Sequence, residues 1–263
     1  VGLLEVNAPL VEEQATHREL VDADGARAAL VAQASAADRV LAVSEPVSAW
    51  VREHAPSAHV VLTPNGVDPL RIRAVRHDAA STPTVVFVGT LKPWHGVEHL
   101  LEAAAIARRP WQVRVVGDGP QAATLRARAG ELGLDVDFRG AVAPEAVPAH
   151  LEGAHVAVAP YPDGQDQYFS PLKVLEYSAA ALPVVASDVG QLGDLVDDGV
   201  TGLLVPPSDP EAIAVAVDGL VSVPERAERM GRAGRRRVLR QHTWHHVLQR
   251  AVEGLELPGE GAA

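Results

Sequence analysis

Short apolar runs, each closed by turn-forming residues and most followed by a longer stretch of helical spacing, confine this chain to an alternating α/β fold. The runs expected as strands are Gly2 to Val6, Arg39 to Val43, His59 to Leu62, Thr84 to Val88, Gln112 to Val116, Val136 to Phe138, His155 to Ala159, Pro183 to Ser187 and Gly202 to Val205. Helical spacing fills Glu12 to Ala37 (with a break near Asp24 and Gly25), Pro46 to His54, Val97 to Ala107, Gln121 to Leu132, Pro144 to Leu151 and Leu172 to Ala181. A short helix near Leu195 and three closing helices, Glu211 to Val221, Glu225 to Gln241 and Trp244 to Glu253, complete the series. Strands separated by helices pair in parallel, and the ligands of such sheets bind where strands end and helices begin.

Length divides this series. At ~150 residues per domain, 263 residues suit one large or two modest domains. Pro64-Asn65-Gly66 is a strong turn, and periodicity fades from Asp68 to Pro83. The expected organisation is residues 1–67 as a partial N-terminal Rossmann-like domain, 68–83 as linker, 84–240 as a complete doubly wound domain, and 241–263 as a helix returning toward the N-terminal part, with a tail.

The composition excludes several chemistries. The chain has no cysteine, so disulfide frameworks and thiol catalysis are ruled out. Its net charge of −11 argues against non-specific nucleic-acid binding. No apolar run reaches the ~18 residues that a membrane helix needs. The chain opens at Val1 with no basic-then-apolar stretch visible and has its single methionine at Met230, so it is expected to begin after processing or midway through a longer product. His242, His245 and His246 lack an acidic partner at ligand spacing and read as packed or solvated; Asp163 and Asp166 read as a polar turn. No metal site is expected. Almost all basic residues are arginine; the two lysines, Lys92 and Lys173, stand out against that bias.

Both lysines fall in strand-to-helix loops. Gly89-Thr90-Leu91-Lys92-Pro93-Trp94-His95-Gly96 offers permissive backbone, a hydroxyl, an ammonium and an imidazole donor near a helix start, a plausible anion loop or an ordinary connection. Gly117-Asp118-Gly119-Pro120 fits a dinucleotide pattern, with Asp137 twenty residues after Gly117, but follows the second strand of its domain; a plain turn is preferred. Ser170-Pro171 is the expected N-cap and first helical residue of the segment Leu172-Lys173-Val174-Leu175-Glu176. There the free amides and Lys173 suit phosphate, and Glu176, one turn on, suits ribose hydroxyls.

From Phe169 to Gly190 (FSPLKVLEYSAAALPVVASDVG) the sequence resembles the donor-binding segment of retaining GT-B-fold glycosyltransferases, glycosyltransferase family 4 or "group 1". Pro64 to Asp68, Phe87 to Gly96, Val116 to Pro120, Phe138 to Gly140, Asp198 to Val205 and His242 to Trp244 match in the family's order. The resemblance implies a nucleotide-sugar donor, linked to UDP, GDP or ADP, and no separate cofactor or obligatory metal. It implies diphosphate contacts from Gly89, Thr90, Lys92, His95, Ser170, Pro171, Leu172 and Lys173, and a ribose contact from Glu176. Gly117, Arg139, Gly140 and Val142 would flank the base, and Asn65, Gly66, Tyr168 and Phe169 would face the sugar or the cleft. Thr90 and His95 stand where the family often has Arg and Lys, Tyr168 where it has Glu, and Asp194 where Glu is common.

Against the family, Gly2 to Pro9 resembles a strand and loop from the middle of the acceptor domain, so the chain is expected to lack the first part of that domain, with Glu5 and Asn7 on the acceptor side. The function expected is sugar transfer to an unidentified acceptor. The alternatives are a donor-binding module that needs a partner chain and, from Gly117-x-Gly119, a nicotinamide-linked oxidoreductase. A cytoplasmic location, or the inner membrane face, is the corresponding expectation.

Overall fold

The computed structural model describes residues 1–9, 11, 21–76, 82–164, 168 and 170–255. The chain divides into two compact units: Val1–Gly66 with Asp166–Ser170 and His242–Ala263, and Val67–Gln165 with Pro171–Gln241.

Among its described residues, the first unit contains a three-stranded parallel sheet in the order β1-β2-β3, from Leu3–Val6, Arg39–Ala42 and Val60–Leu62. Helices α1 (Ala23–Ala36) and α2 (Glu45–His54) connect these strands. Asp22 caps α1 by accepting the Gly25 N–H at 2.7 Å, so the break expected at Asp24-Gly25 falls before Ala23 instead. Ser44 caps α2 through the Val47 N–H. Val6, Val40, Ala42, Val47 and Val51 form the buried core, because β2 is the central strand and α2 lays its apolar face on it.

Helix α10 (Trp244–Val252), the last among the described residues, belongs to this unit and is fastened through its end. Arg39, only 5% exposed on the central strand, donates to the carbonyls of Arg250 (3.3 Å), Ala251 (2.9 Å) and Glu253 (2.8 Å). Helix C-termini leave carbonyls without intrahelical donors, and a guanidinium fork satisfies several at once. At the other end, His246 Nδ1 meets the Thr243 hydroxyl at 2.7 Å in a capping box, so this histidine caps the start of the helix. No three His, Cys, Asp or Glu side chains converge as a metal site among the described residues.

Among its described residues, the second unit is built on six parallel strands in the order β6-β5-β4-β7-β8-β9: Thr84–Val88 (β4), Gln112–Val116 (β5), Val136–Gly140 (β6), Val156–Ala159 (β7), Val184–Ser187 (β8) and Gly202–Val205 (β9). The helices are α3 (Val97–Ala105), α4 (Ala122–Glu131), α5 (Val147–Leu151), α6 (Leu172–Ala179), α7 (Leu192–Leu195), α8 (Pro210–Val221) and α9 (Pro224–Gln241). All four residues of β7 and of β8 are buried, as expected of strands covered on both faces. Pro144 to Leu151, expected as one helix, is a 3₁₀ turn (Pro144–Ala146) followed by α5, since Pro148 lacks an amide donor.

The chain steps outward from β4 to β5 and β6, then returns to place β7 beside β4 before continuing to β8 and β9. That reversal opens a crevice at the carboxyl ends of β4 and β7, the usual ligand position in a doubly wound sheet.

Arg39→Met should cost about 2–4 kcal/mol in urea denaturation, because buried carbonyls lose charged donors. Arg39→Lys should recover only part, since one ammonium cannot span three carbonyls.

Candidate functional site

Strand β4 ends in Phe87-Val88, and the next residue, Gly89, takes φ 151°. Here the chain turns under two neighbours. The Gly89 N–H donates to the Val116 carbonyl, the Leu91 N–H to the Asp118 carbonyl, and the Gly117 N–H to the Gly140 carbonyl. A β-carbon at Gly117 would lie 1.9 Å from the Gly89 carbonyl oxygen, and one at Gly119 would lie 2.7 Å from the Leu91 backbone. Gly117-x-Gly119 therefore serves the close packing of two loops, which is a structural reason for the glycines. Asp137 is held by Arg114 (3.2 Å) and Arg139 (2.7 Å), unlike the open acceptor that a dinucleotide ribose requires. The structure thus brings Gly89, Gly117 and Gly140 together at the ends of β4, β5 and β6.

Helix α6 follows β7 and carries Lys173. The expected cap is not formed: Pro171 occupies the N-cap position, with no side-chain cap, and the Ser170 hydroxyl accepts the Asn65 N–H instead. Ser170 and Asn65 both lie in the first unit, where Asn65 Nδ2 also donates to the Ser170 carbonyl. Gly66 lies in that unit too; a β-carbon there would meet the Trp244 amide nitrogen at 2.8 Å. The Tyr168 carbonyl accepts the Ser44 hydroxyl at 2.5 Å, and its side chain packs on the first unit's core. Phe169 lies outside the described residues.

At α6 the amides of Leu172 and Lys173 open the helix, where no intrahelical acceptor exists. Tyr177, one turn further, fixes the helix to β4: its hydroxyl accepts the Val88 N–H at 2.7 Å. That bond helps hold Lys173 against the β4 loop. A β-carbon at Gly89 would come within 2.9 Å of Lys173 Nζ.

The ammonium of Lys173 is buried and has no hydrogen-bond partner among the described residues. Its neighbours are aromatic faces, Phe87 at 4.3 Å and Tyr161 at 4.9 Å from Nζ. Ring quadrupoles soften the loss of water without replacing it. Burial pushes the Lys173 ammonium down from 10.5 to about 7. His95 completes the surroundings, edge-on to Tyr161 at 5.6 Å. Burial and the neighbouring Lys173 charge lower its imidazole to about 4, so it is neutral at physiological pH. Nδ1 bonds the Thr90 carbonyl, an obligate acceptor, so Nδ1 carries the hydrogen and Nε2 is left as an acceptor. The donor role expected of His95 is thus filled internally, bracing the loop. Lys92 rests over the Trp94 ring at 4.5 Å, half-buried.

Glu176, three residues after Lys173, meets Arg71 at 2.5 Å. Arg71 also donates to the Pro144 carbonyl at 2.7 Å, just beyond Val142. Arg139 is exposed and paired with Asp137. Sequence reasoning missed Arg71, which lies in the expected linker, and Tyr161. The signal for Tyr161 was its place two residues beyond β7; only the strand order shows that β7 borders β4. A buried, unmatched cation beside a glycine backbone and a helix N-terminus can do one thing well, which is to bind an anion.

Comparison with known proteins gives this arrangement its context. A family model described as "Glycosyl transferases group 1" matches residues 82–222. The GDP-mannose-dependent alpha-(1-6)-phosphatidylinositol monomannoside mannosyltransferase of Mycolicibacterium smegmatis is 35% identical over 246 residues, 87% of this chain and 64% of that protein. Sucrose-phosphate synthase from Thermosynechococcus elongatus superposes with TM-score 0.75 at 28% identity, covering 94% of this chain and 65% of that one. Anabaena HepE in complex with UDP and glucose superposes with TM-score 0.77 at 19% identity, covering 95% and 70%. The chain thus spans less than two thirds of the length of the curated mannosyltransferases it matches.

The lowered Lys173 value fixes a sign. Between about 7 and 10.5 the unfolded chain holds a proton that the folded chain lacks, so this group adds stability as pH rises across that window. Lys173→Met removes the contribution. Urea denaturation should show the variant more stable than wild type at pH 7, with the gap closing toward pH 10 by at most about 1.4 kcal/mol per pH unit.

Proposed function

We propose a function from one premise: the chain belongs to the glycosyl transferases of group 1 (family 4), nucleotide-sugar enzymes of the GT-B fold. The second unit binds the diphosphate of a nucleotide sugar, and the chain transfers the sugar to an acceptor hydroxyl with retention of anomeric configuration. The observation that carries this reading is the buried, unpartnered ammonium of Lys173 against Gly89, at the switch point of the sheet.

A diphosphate seated there meets Lys173, the opening amides of α6 and the positive end of the helix dipole. These groups are in place before the reaction, so they stabilise the charge that grows on the departing diphosphate at little reorganisation cost. Lys92, stacked on Trp94 in the β4 loop, is the second cation in this reading. Thr90 supplies its hydroxyl and the Gly89 backbone its close approach, while Leu172 lies at the exposed start of α6. Ribose falls to Glu176, and the base to the surface of Gly117, Arg139, Gly140 and Val142. Pro171, which precedes α6, stays on the diphosphate side in this reading, whereas Asn65, Gly66, Tyr168 and Ser170 belong to the first unit. The neutral His95 acts by holding Thr90.

The donor class is a UDP-, GDP- or ADP-sugar; the 35% identical mannosyltransferase is GDP-mannose-dependent by its name, which makes GDP the first nucleotide to test. That relative's acceptor is a phosphatidylinositol monomannoside, which supports work at a membrane face. No helix among the described residues is long and apolar enough to cross a membrane.

Calorimetric titration with UDP, GDP, ADP and NAD, without added metal, tests the reading. One nucleoside diphosphate should bind and NAD should not. Lys173→Met should weaken that binding about 30- to 300-fold, the cost of removing a charge-assisted bond from a desolvated site. Unchanged affinity would remove Lys173 from the site.

The same titration has a pH dependence. Lys173 must be protonated to hold phosphate, and free it titrates near about 7. Affinity should be level below that value and fall as pH rises above it, by up to about tenfold per unit. A profile level from pH 6 to 9 would show that this ammonium is not the phosphate ligand.

A further inference from the structure

The segment after Val67 was expected as linker, yet part of it is built as firmly as the core. Ile72 is fully buried, and its amide donates to the Asp68 carbonyl at 2.9 Å. The Leu70 N–H donates to Asp68 Oδ1 at 2.8 Å, and the Ile72 carbonyl accepts Arg235 Nη1 at 3.1 Å. Val75 continues the attachment by donating to the Ala180 carbonyl at 2.9 Å, just beyond α6. Arg71 therefore projects from an anchored backbone.

Its guanidinium does two things at once. Nη2 lies 2.5 Å from Glu176 Oε1, and Nη1 donates to the Pro144 carbonyl at 2.7 Å. The side chains of Arg71 and Glu176 are 31% and 16% exposed, so the pair is partly sheltered from water. Pro144 opens the 3₁₀ turn that ends the loop carrying Val142. A planar fork holds a carboxylate and a carbonyl in fixed relation, which a lysine cannot do.

We propose that Arg71 is the positioning residue for the nucleoside half of the donor: it presents the Glu176 carboxylate to the ribose and locks that carboxylate to the loop flanking the base. This rests on the donor-site reading above. With Oε1 taken by Arg71, Oε2 accepts from the ribose hydroxyls. One guanidinium thus sets the ribose contact and the base wall together, whereas the phosphates depend on Lys173 and Gly89.

The test separates the two halves of the ligand. The full chain and its Arg71→Met, Arg71→Lys and Glu176→Gln variants are titrated with the preferred nucleoside diphosphate, its 2′,3′-dideoxy analogue and inorganic pyrophosphate, with circular dichroism as the folding control. Arg71→Met should lose about ten- to hundredfold in nucleoside diphosphate affinity and leave pyrophosphate unchanged. It should also lose the wild type's preference for the ribose hydroxyls, as Glu176→Gln does, and Arg71→Lys should restore little of it. Equal binding of the nucleoside diphosphate by wild type and Arg71→Met overturns the inference, as does a loss shared equally by pyrophosphate. Failure of the donor reading looks different: wild type itself would bind pyrophosphate but no nucleoside diphosphate, or neither.

Discussion

A buried ammonium with no protein hydrogen-bond partner among the described residues is expensive, and the second unit is arranged around one. Lys173 sits on α6 because the chain returns to the sheet centre at β7, and α6 is the next helix. Tyr177 pins that helix to the end of β4. Phe87 and Tyr161 give the head group aromatic faces but no acceptor. Gly89 leaves the space beside Nζ that any other residue would fill. Each of these features raises the cost of burying the ammonium, and each increases what an anion gains by pairing with it.

The glycines of the neighbouring loop belong to the same arrangement. Gly117 and Gly119 let the β5 loop come against the backbone of Gly89 and Leu91, so the anion site has a wall of hydrogen-bonded main chain. His95 adds a neutral brace, since a second charged group so near Lys173 would repel it. Where the family often has a lysine, this chain has a histidine held uncharged, and the buried ammonium beside it is that of Lys173 on α6. Glu176 and Arg71 continue the construction away from the phosphates, toward the nucleoside.

Much of this was legible in the sequence, for physical reasons. Buried parallel strands are short apolar runs, so β4, β5 and β9 fall where their composition places them. Lys173 was visible because lysine is rare here and follows a helix start. Other parts depended on distance along the chain. Arg71 meets Glu176 across 105 residues, and a stretch without periodicity gives no sign that it is anchored. Tyr161 needed the strand order. Ser170 has the composition of an N-cap, but its hydroxyl is taken by Asn65, again 105 residues away, and the local preference lost to a tertiary bond. Asp137 matched a ribose-binding spacing while two arginines, one on the adjacent strand β5 and one on its own strand β6, had already claimed it.

The most direct measurement reads Lys173 itself. The chain contains two lysines, so lysine labelled at Cε and Nζ gives two sets of NMR signals, and Lys173→Met assigns them. The account predicts that, in the free protein, one lysine titrates near about 7, and that saturation with pyrophosphate or a nucleoside diphosphate moves it upward toward the ordinary lysine range. A Lys173 signal that titrates at about 10.5 in the free protein and ignores both ligands would contradict the central claim.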